Sequence, residues 1–498
     1  MYGYVTPKCD SSEPDIVMSI MQRVGREFPP SHKPTLESFY RFVSRWVHRN
    51  VEPLPSTTDT SFETWIEGCS YPLKRKNELR RVRAELPSLI NEELPKKFWV
   101  ANSFIKDEDF VVFKAARAIC SRTDEAKVVF GPYVKLFDKD LFARPQFIKT
   151  VPVRDRPDYI LNHLGSEGPY HIADYSAFES LFTPDMIKNV ELCYMKRLFA
   201  NMPNGHYMIR LMEKVMAGTN YLKFRNVFVK LFGRRLSGEM STSSGNGFTN
   251  SMFLEYIAHS YGGTVKYVCE GDDSASKFIG CSPVDEDFEK LGVRVKLEQV
   301  SDICRASFCG NVFDDEDRVN VTDPLQYLAA FSWSNRRYVH SSVRTRRTLL
   351  RAKALSAAYQ YPGCPVIQAH AHRILELTSG YDTRRVRNNM SLWEMEQFDQ
   401  AMKFKYSELY KPIGANTRQL VYEVYGIDVQ TQLDIENVVK NMTFESWLPP
   451  SNLTQLLNPC WARNWDSYVM VSKDDHYLNQ HKFNTDWLQR SGLADKPP

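Results

Sequence analysis

Three carboxylates in this chain are spaced as ligands for a hard cation. Asp174 lies near the end of the run PYHIADYS, and Asp272 and Asp273 follow in the tetrapeptide Glu270-Gly271-Asp272-Asp273. Phosphoryl transfer from a nucleoside triphosphate uses two magnesium ions about 4 Å apart, one activating the attacking hydroxyl and one steadying the leaving pyrophosphate. Magnesium takes carboxylate oxygens, and a strand end and a neighbouring hairpin turn are rigid places from which to aim them at one point. PYHIADYS reads as a strand, while VKYVC and SASKF on either side of a Gly/Asp turn read as a hairpin. The three acids are therefore candidate ligands for two Mg2+ ions, with Mn2+ as a workable substitute.

Gly-Asp-Asp alone is weak evidence, since chance supplies it in on the order of one chain of this size in ten. A second pattern between the acidic sites is far rarer: Ser237-Gly238-x3-Thr242-x3-Asn246, with Asn250 following. Gly238 lets the backbone bend beside a nucleotide, and Ser237, Thr242 and Asn246 present short donors and acceptors at a helix start. Such groups can sense a ribose 2′-hydroxyl, which separates RNA from DNA.

The elements that must hold these residues are legible in outline. Thr183-Pro184-Asp185 signals a helix start, with Met186, Val190 and Cys193 on one face and a stop by Pro203 and Gly205. A second helix is expected from about Phe248 to Ser260, ended by Gly262-Gly263. Residues 1–165 mix helices and loops, 170–320 alternate strands and helices, and the chain beyond about 325 is mostly helical. With 498 residues, 43% of them hydrophobic, a large core in two or three units is expected. No run approaches the roughly 20 apolar residues of a membrane span, and the opening residues lack the pattern of a secretion signal. The ten cysteines form no C-x-x-C pair and read as reduced thiols. A net charge of +4 announces no polyanion partner, so any such site must come from local clusters such as Arg336, Arg337, Arg344, Arg346, Arg347, Arg351 and Lys353.

DYSAFES, SGEMSTSSGN and EGDD resemble motifs A, B and C of viral RNA-dependent RNA polymerases, in the usual order. Upstream, FIKDEDF, FKAARAICSR and GPYVKLFDKDLF are similar to the fingers segment of the tombusvirus-like and flavivirus-like enzymes. There the resemblance implies that Lys106, Lys114, Arg117 and Arg122 grip the incoming triphosphate as motif F. Downstream, VRVKLEQV and SFCGNVF resemble motifs D and E. Lys296, on a loop and with Lys290 close behind, is then the candidate acid for the pyrophosphate, and a short hairpin supports the primer strand. Specific motifs cover roughly residues 100–320. Two departures stand out: Glu179 replaces the aspartate usual five residues after Asp174, and motif F lacks a proline before its arginine.

The resemblance implies an α/β (α+β) right-hand fold. Its fingers would be 1–165 and 191–235, its palm 166–190 and 236–322, and its helical thumb 323–498. It further implies nucleotidyl transfer from NTPs to an RNA 3′-hydroxyl, with RNA template and nascent strand as partners and Arg336, Arg337, Arg346 and Arg347 touching RNA. Glu179 would join Ser237, Gly238, Thr242 and Asn246 around the nucleotide. Other viral replication proteins would supply membrane attachment in the host cytoplasm. The alternatives are a reverse transcriptase, disfavoured by Gly271 before the paired aspartates, and a non-catalytic RNA-binding viral protein, which has no use for three acids at metal-ligand positions.

Overall fold

The computed structural model describes residues 13–87, 94–106, 117–331, 338, 341–387 and 392–444. The chain is mixed α/β, and its described residues form two four-stranded sheets, one two-stranded hairpin and many helices. Lys114, Arg336 and Arg337 lie outside the described residues.

Strands β1 (Val100–Ile105), β2 (Ala118–Arg122), β4 (Thr219–Lys223) and β5 (Phe228–Phe232) form the first sheet, in the order β2-β1-β4-β5. It joins residues from the N-terminal third to residues from the segment between Asp174 and Ser237. The helix Glu13–Gln22 covers one of its faces through Ile16 and Ile20, which share a core with Ala101, Cys120 and Leu222.

The second sheet is antiparallel throughout, in the order β6-β7-β3-β8. It consists of β3 (Tyr170–Tyr175), β6 (Thr264–Glu270), β7 (Asp273–Ile279) and β8 (Val295–Val300). Its two faces feed different cores. Ala173, Tyr175, Tyr267 and Cys269 pack with the long helices on one side, whereas Tyr170, Val268 and Ala275 pack with the C-terminal helices and the hairpin β9 (Val312–Asp314)–β10 (Val319–Val321). Side chains alternate along a strand, so Asp174, Glu270 and Asp273 share the second face.

Two helix boundaries differ from the sequence reading. The helix begun by Thr183, whose hydroxyl caps Met186 N at 3.1 Å, breaks at Val190 (φ −110°, ψ −85°) into Pro184–Asn189 and Glu191–Leu198. The break seats Glu191, fully buried, against Arg235. The second helix runs Thr242–Ser260, six residues longer at its start than expected from Phe248. Its first turns are rich in Ser, Gly and Asn, which local propensity assigns to a loop. Tertiary packing overrides that preference: a Cβ at Gly245 would lie 1.9 Å from Glu191 Oε2, so only glycine lets this turn close on the buried ion pair. Phe248, fully buried between the rings of Trp46 (5.6 Å) and Tyr194 (4.8 Å), anchors the same turn.

Candidate active site

The antiparallel register fixes the carboxylates. Ala173 pairs with Ser274 between β3 and β7, so one step further brings Asp174 opposite Asp273. Glu270 pairs with Asp273 across β6 and β7, leaving Gly271 (φ +64°) and Asp272 as a two-residue turn. A positive φ at the first turn position suits the right-handed twist of the strands it joins. Asn250 holds this turn from below: its Nδ2 donates to Asp272 O at 2.8 Å, and its Oδ1 accepts from Tyr175 Oη at 2.8 Å. The helix Thr242–Ser260, strand β3 and the hairpin turn are thereby locked to one another through one buried amide.

Above the turn lies a cavity of about 530 Å3, lined by Thr242, Asn246, Asp272, Asp273, Cys309 and Gln360 among others. All three acids are solvent-accessible, yet protein surrounds most of each side chain at the hairpin. Burial, then the neighbouring Asp272, Glu270 and Asp174, push Asp273 up to about 6. Burial also raises Asp272, with Glu179 adding to the shift while Arg117 and Arg23 oppose it. Crowded carboxylates that resist ionisation together are what a divalent cation relieves. Glu270 behaves otherwise: burial opposes its ionisation, but Arg156 (2.6 Å) and Lys149 (2.9 Å) hold it below the usual range. It is already neutralised by protein, which leaves the aspartates as the available oxygen donors.

Asn246 is only 6% exposed, and its Oδ1 is buried without a hydrogen-bond partner while the residue lines the cavity. An unsatisfied buried carbonyl costs about 1–3 kcal/mol, so Asn246 is a lining residue with hydrogen-bonding capacity left over. The rest of the motif shapes the wall. Ser237 O accepts from Cys120 N at 2.6 Å, stitching the loop to the edge of β2. Gly238 has φ +100°, and a Cβ there would meet Ile119 Cγ2 at 2.9 Å. The Thr242 hydroxyl is spent on the backbone of Gly238, Leu236 and Glu239. Ser237, Gly238 and Thr242 thus brace the turn that carries Asn246.

Comparison with models of protein families and with curated proteins finds no match to this chain.

The basic residues divide. Lys106 N bonds to Arg117 O at 2.7 Å where β1 and β2 lead into residues 107–116, and Arg117 is near enough to lower Asp272. Arg122, expected at a triphosphate, is instead 1% exposed. Its Nε and Nη2 both lie 2.8 Å from Glu239, and it also donates to Asn220 Oδ1. A guanidinium so enclosed joins β2 to β4 and to the loop before Thr242; the odd positions of β2 face out and the even ones inward. Lys296 is exposed on strand β8, not on a loop, in register with Asp174. The two border a second cavity of about 560 Å3 with Ser176, Arg294, Pro29 and Pro30. Lys290 pairs with Asp287 at 3.3 Å. Arg346 is half-buried in the helix Val343–Gln360, and Arg347 in the same helix donates to Tyr381 Oη at 2.9 Å and stacks on Phe444 at 4.0 Å, so Arg347 serves the internal packing of the helices.

Several lining residues escaped the sequence reading. Val153, Arg156 and Gln360 reach the cavity from elements about 200 residues apart, and nothing in their local sequence marks them. SFCGNVF does form a tight turn, Phe308 bridging Asn311 and Cys309 at φ +52°, which presents Cys309 beside Asp273.

Proposed function

We propose that the protein is an RNA-dependent RNA polymerase with a right-hand arrangement. The first sheet and N-terminal helices serve as fingers, the β6-β7-β3-β8 sheet as palm, and the helices after Pro324 as thumb. One observation carries the reading: the strand register brings Asp174 opposite Asp273 at the Asp272-Asp273 turn, and Asn246, whose buried Oδ1 has no hydrogen-bond partner, lines the cavity of that turn.

Asp174, Asp272 and Asp273 would hold two magnesium ions, and their hard oxygens and mutual crowding fit that cargo. When bound, the ions supply Lewis acidity to the attacking hydroxyl and to the departing pyrophosphate. The chain does the positioning. Asn250 fixes the turn, Asn246 receives the 2′-hydroxyl of the incoming ribonucleotide, and Arg117 faces the triphosphate charge. Lys296, beside Asp174, is the candidate proton donor to pyrophosphate. RNA template and nascent strand, NTPs and other viral replication proteins are the proposed partners, at membranes in the host cytoplasm. Among the described residues no helix is long and apolar enough to cross a membrane, so that attachment is assigned to partners.

Primer extension by the purified chain on a homopolymer RNA tests the proposal, with Mg2+, Mn2+ and a chelator compared. Template-dependent, chelator-sensitive elongation is expected. Absence of synthesis with either metal would overturn it.

A further inference from the structure

Glu179 is one methylene longer than the aspartate usual at its place, and a longer acid has one more torsion to hold. In this structure it is held from 156 residues away: Arg23 Nε lies 2.9 Å from Glu179 Oε1, with the two side chains 22% and 14% exposed. Arg23 belongs to a segment that leaves the helix Glu13–Gln22 on the fingers sheet and crosses to the palm. Along the way Arg26 Nη1 donates to Ser176 Oγ at 3.0 Å, and Glu27 O accepts from Arg294 Nη2 at 2.5 Å. Arg234 stacks on Phe28 at 3.4 Å, and His32 N closes the crossing on Lys290 O at 2.9 Å. Two of these ties grip the turn just after Asp174, whose Ala177 sits at φ +52°.

We propose that this segment is a strap that sets sugar selection, with Arg23 as the positioning residue that fixes Glu179 for the ribose 2′-hydroxyl. The inference rests on the polymerase reading. A carboxylate anchored on one oxygen by a guanidinium keeps its other oxygen in a fixed direction, as an acceptor acting with Asn246 needs. The Arg23 charge also offsets that of Glu179 beside the metal-binding acids. The longer acid and the distant arginine are thus two halves of one device.

The test is single-nucleotide incorporation of matched ribo- and deoxyribonucleotides by wild type, Arg23→Ala, Arg23→Lys, Glu179→Gln and the double variant Arg23→Ala/Glu179→Gln. KM and kcat are separated for each, and thermal melts report folding. Arg23→Ala should narrow the ribo/deoxy ratio about tenfold, mainly through a higher KM for the ribonucleotide, and Arg23→Lys should restore most of it. The double variant should match Glu179→Gln, because the arginine acts only through that acid. An unchanged ratio in a folded, active Arg23→Ala would overturn the strap, as would multiplicative losses in the double variant. Should Arg23→Ala melt early, Arg23→Lys against Glu179→Gln decides by the same ratio. A wild type that incorporates no nucleotide overturns the polymerase reading itself, a result distinct from active enzyme with unaltered selection.

Discussion

Asn246 and Asp273 carry opposite kinds of unfinished business. The Asn246 carbonyl oxygen has no hydrogen-bond donor, and on the proposed reading the 2′-hydroxyl of a ribonucleotide supplies one. A site built around a hydroxyl leaves polar groups stranded when the hydroxyl is missing, at about 1–3 kcal/mol per group. Asn246→Ala should therefore lower ribonucleotide use while sparing deoxynucleotide use, narrowing the preference by roughly tenfold. Matched single-nucleotide incorporation reads this, and an unchanged ratio would locate sugar recognition elsewhere. Asp273 sits in an excess of negative charge from Asp272, Glu270 and Asp174. Its folded pKa of about 6 stands above the ordinary 3.8, so in the metal-free protein the folded state holds the proton more tightly than the unfolded state. The resulting stability is full below pH 3.8 and is lost as pH rises through 6. Asp273→Asn should thus gain stability relative to wild type between pH 4 and pH 7.5 in chelator. The gain should be on the order of 1 kcal/mol, less than the full shift implies because the side chain reaches solvent. Urea midpoints at the two pH values measure it, and a pH-independent difference would contradict the electrostatic origin.

The β6–β7 hairpin, strand β3 and the Thr183 cap were readable because each obeys a local rule: alternation, a Gly/Asp turn, a hydroxyl before Pro. The start of the Thr242–Ser260 helix was not, because Gly245 is there for the Glu191–Arg235 pair, which no local pattern announces. The setting of Arg122 is hidden from the sequence for the same reason. Its position in a basic segment is visible in the sequence, but its burial against Glu239, 117 residues on, is not. Arg122→Ala should accordingly act on folding. Removing one partner of a buried pair strands the other, at about 3–5 kcal/mol, so a melting temperature well below wild type is expected. A stable variant with only a raised KM for nucleotide would return Arg122 to the triphosphate.

At the scale of the molecule, the cavity beside the hairpin turn is a junction. The β6-β7-β3-β8 sheet gives Glu270, Asp272 and Asp273, the Thr242–Ser260 helix gives Thr242 and Asn246, and the far end of the Val343–Gln360 helix gives Gln360. The order of the carboxylates and of the Ser/Gly/Thr/Asn pattern along the chain was enough to foresee this meeting of β3, hairpin and helix. The third wall was beyond reach, since it depends on how the C-terminal helices close on β9 and β10. On the proposed reading, polymerisation at this junction depends above all on Asp272, which sits at the tip of the turn with its backbone held by Asn250. The most direct measurement is RNA primer extension by wild type and Asp272→Asn side by side, with circular dichroism and thermal melts showing both folded. Loss of one metal-holding charge should slow synthesis by about three orders of magnitude or more, some 4 kcal/mol of transition-state stabilisation, with the melt unchanged or higher. Extension by Asp272→Asn within tenfold of wild type would contradict a metal-dependent polymerase centred on this turn.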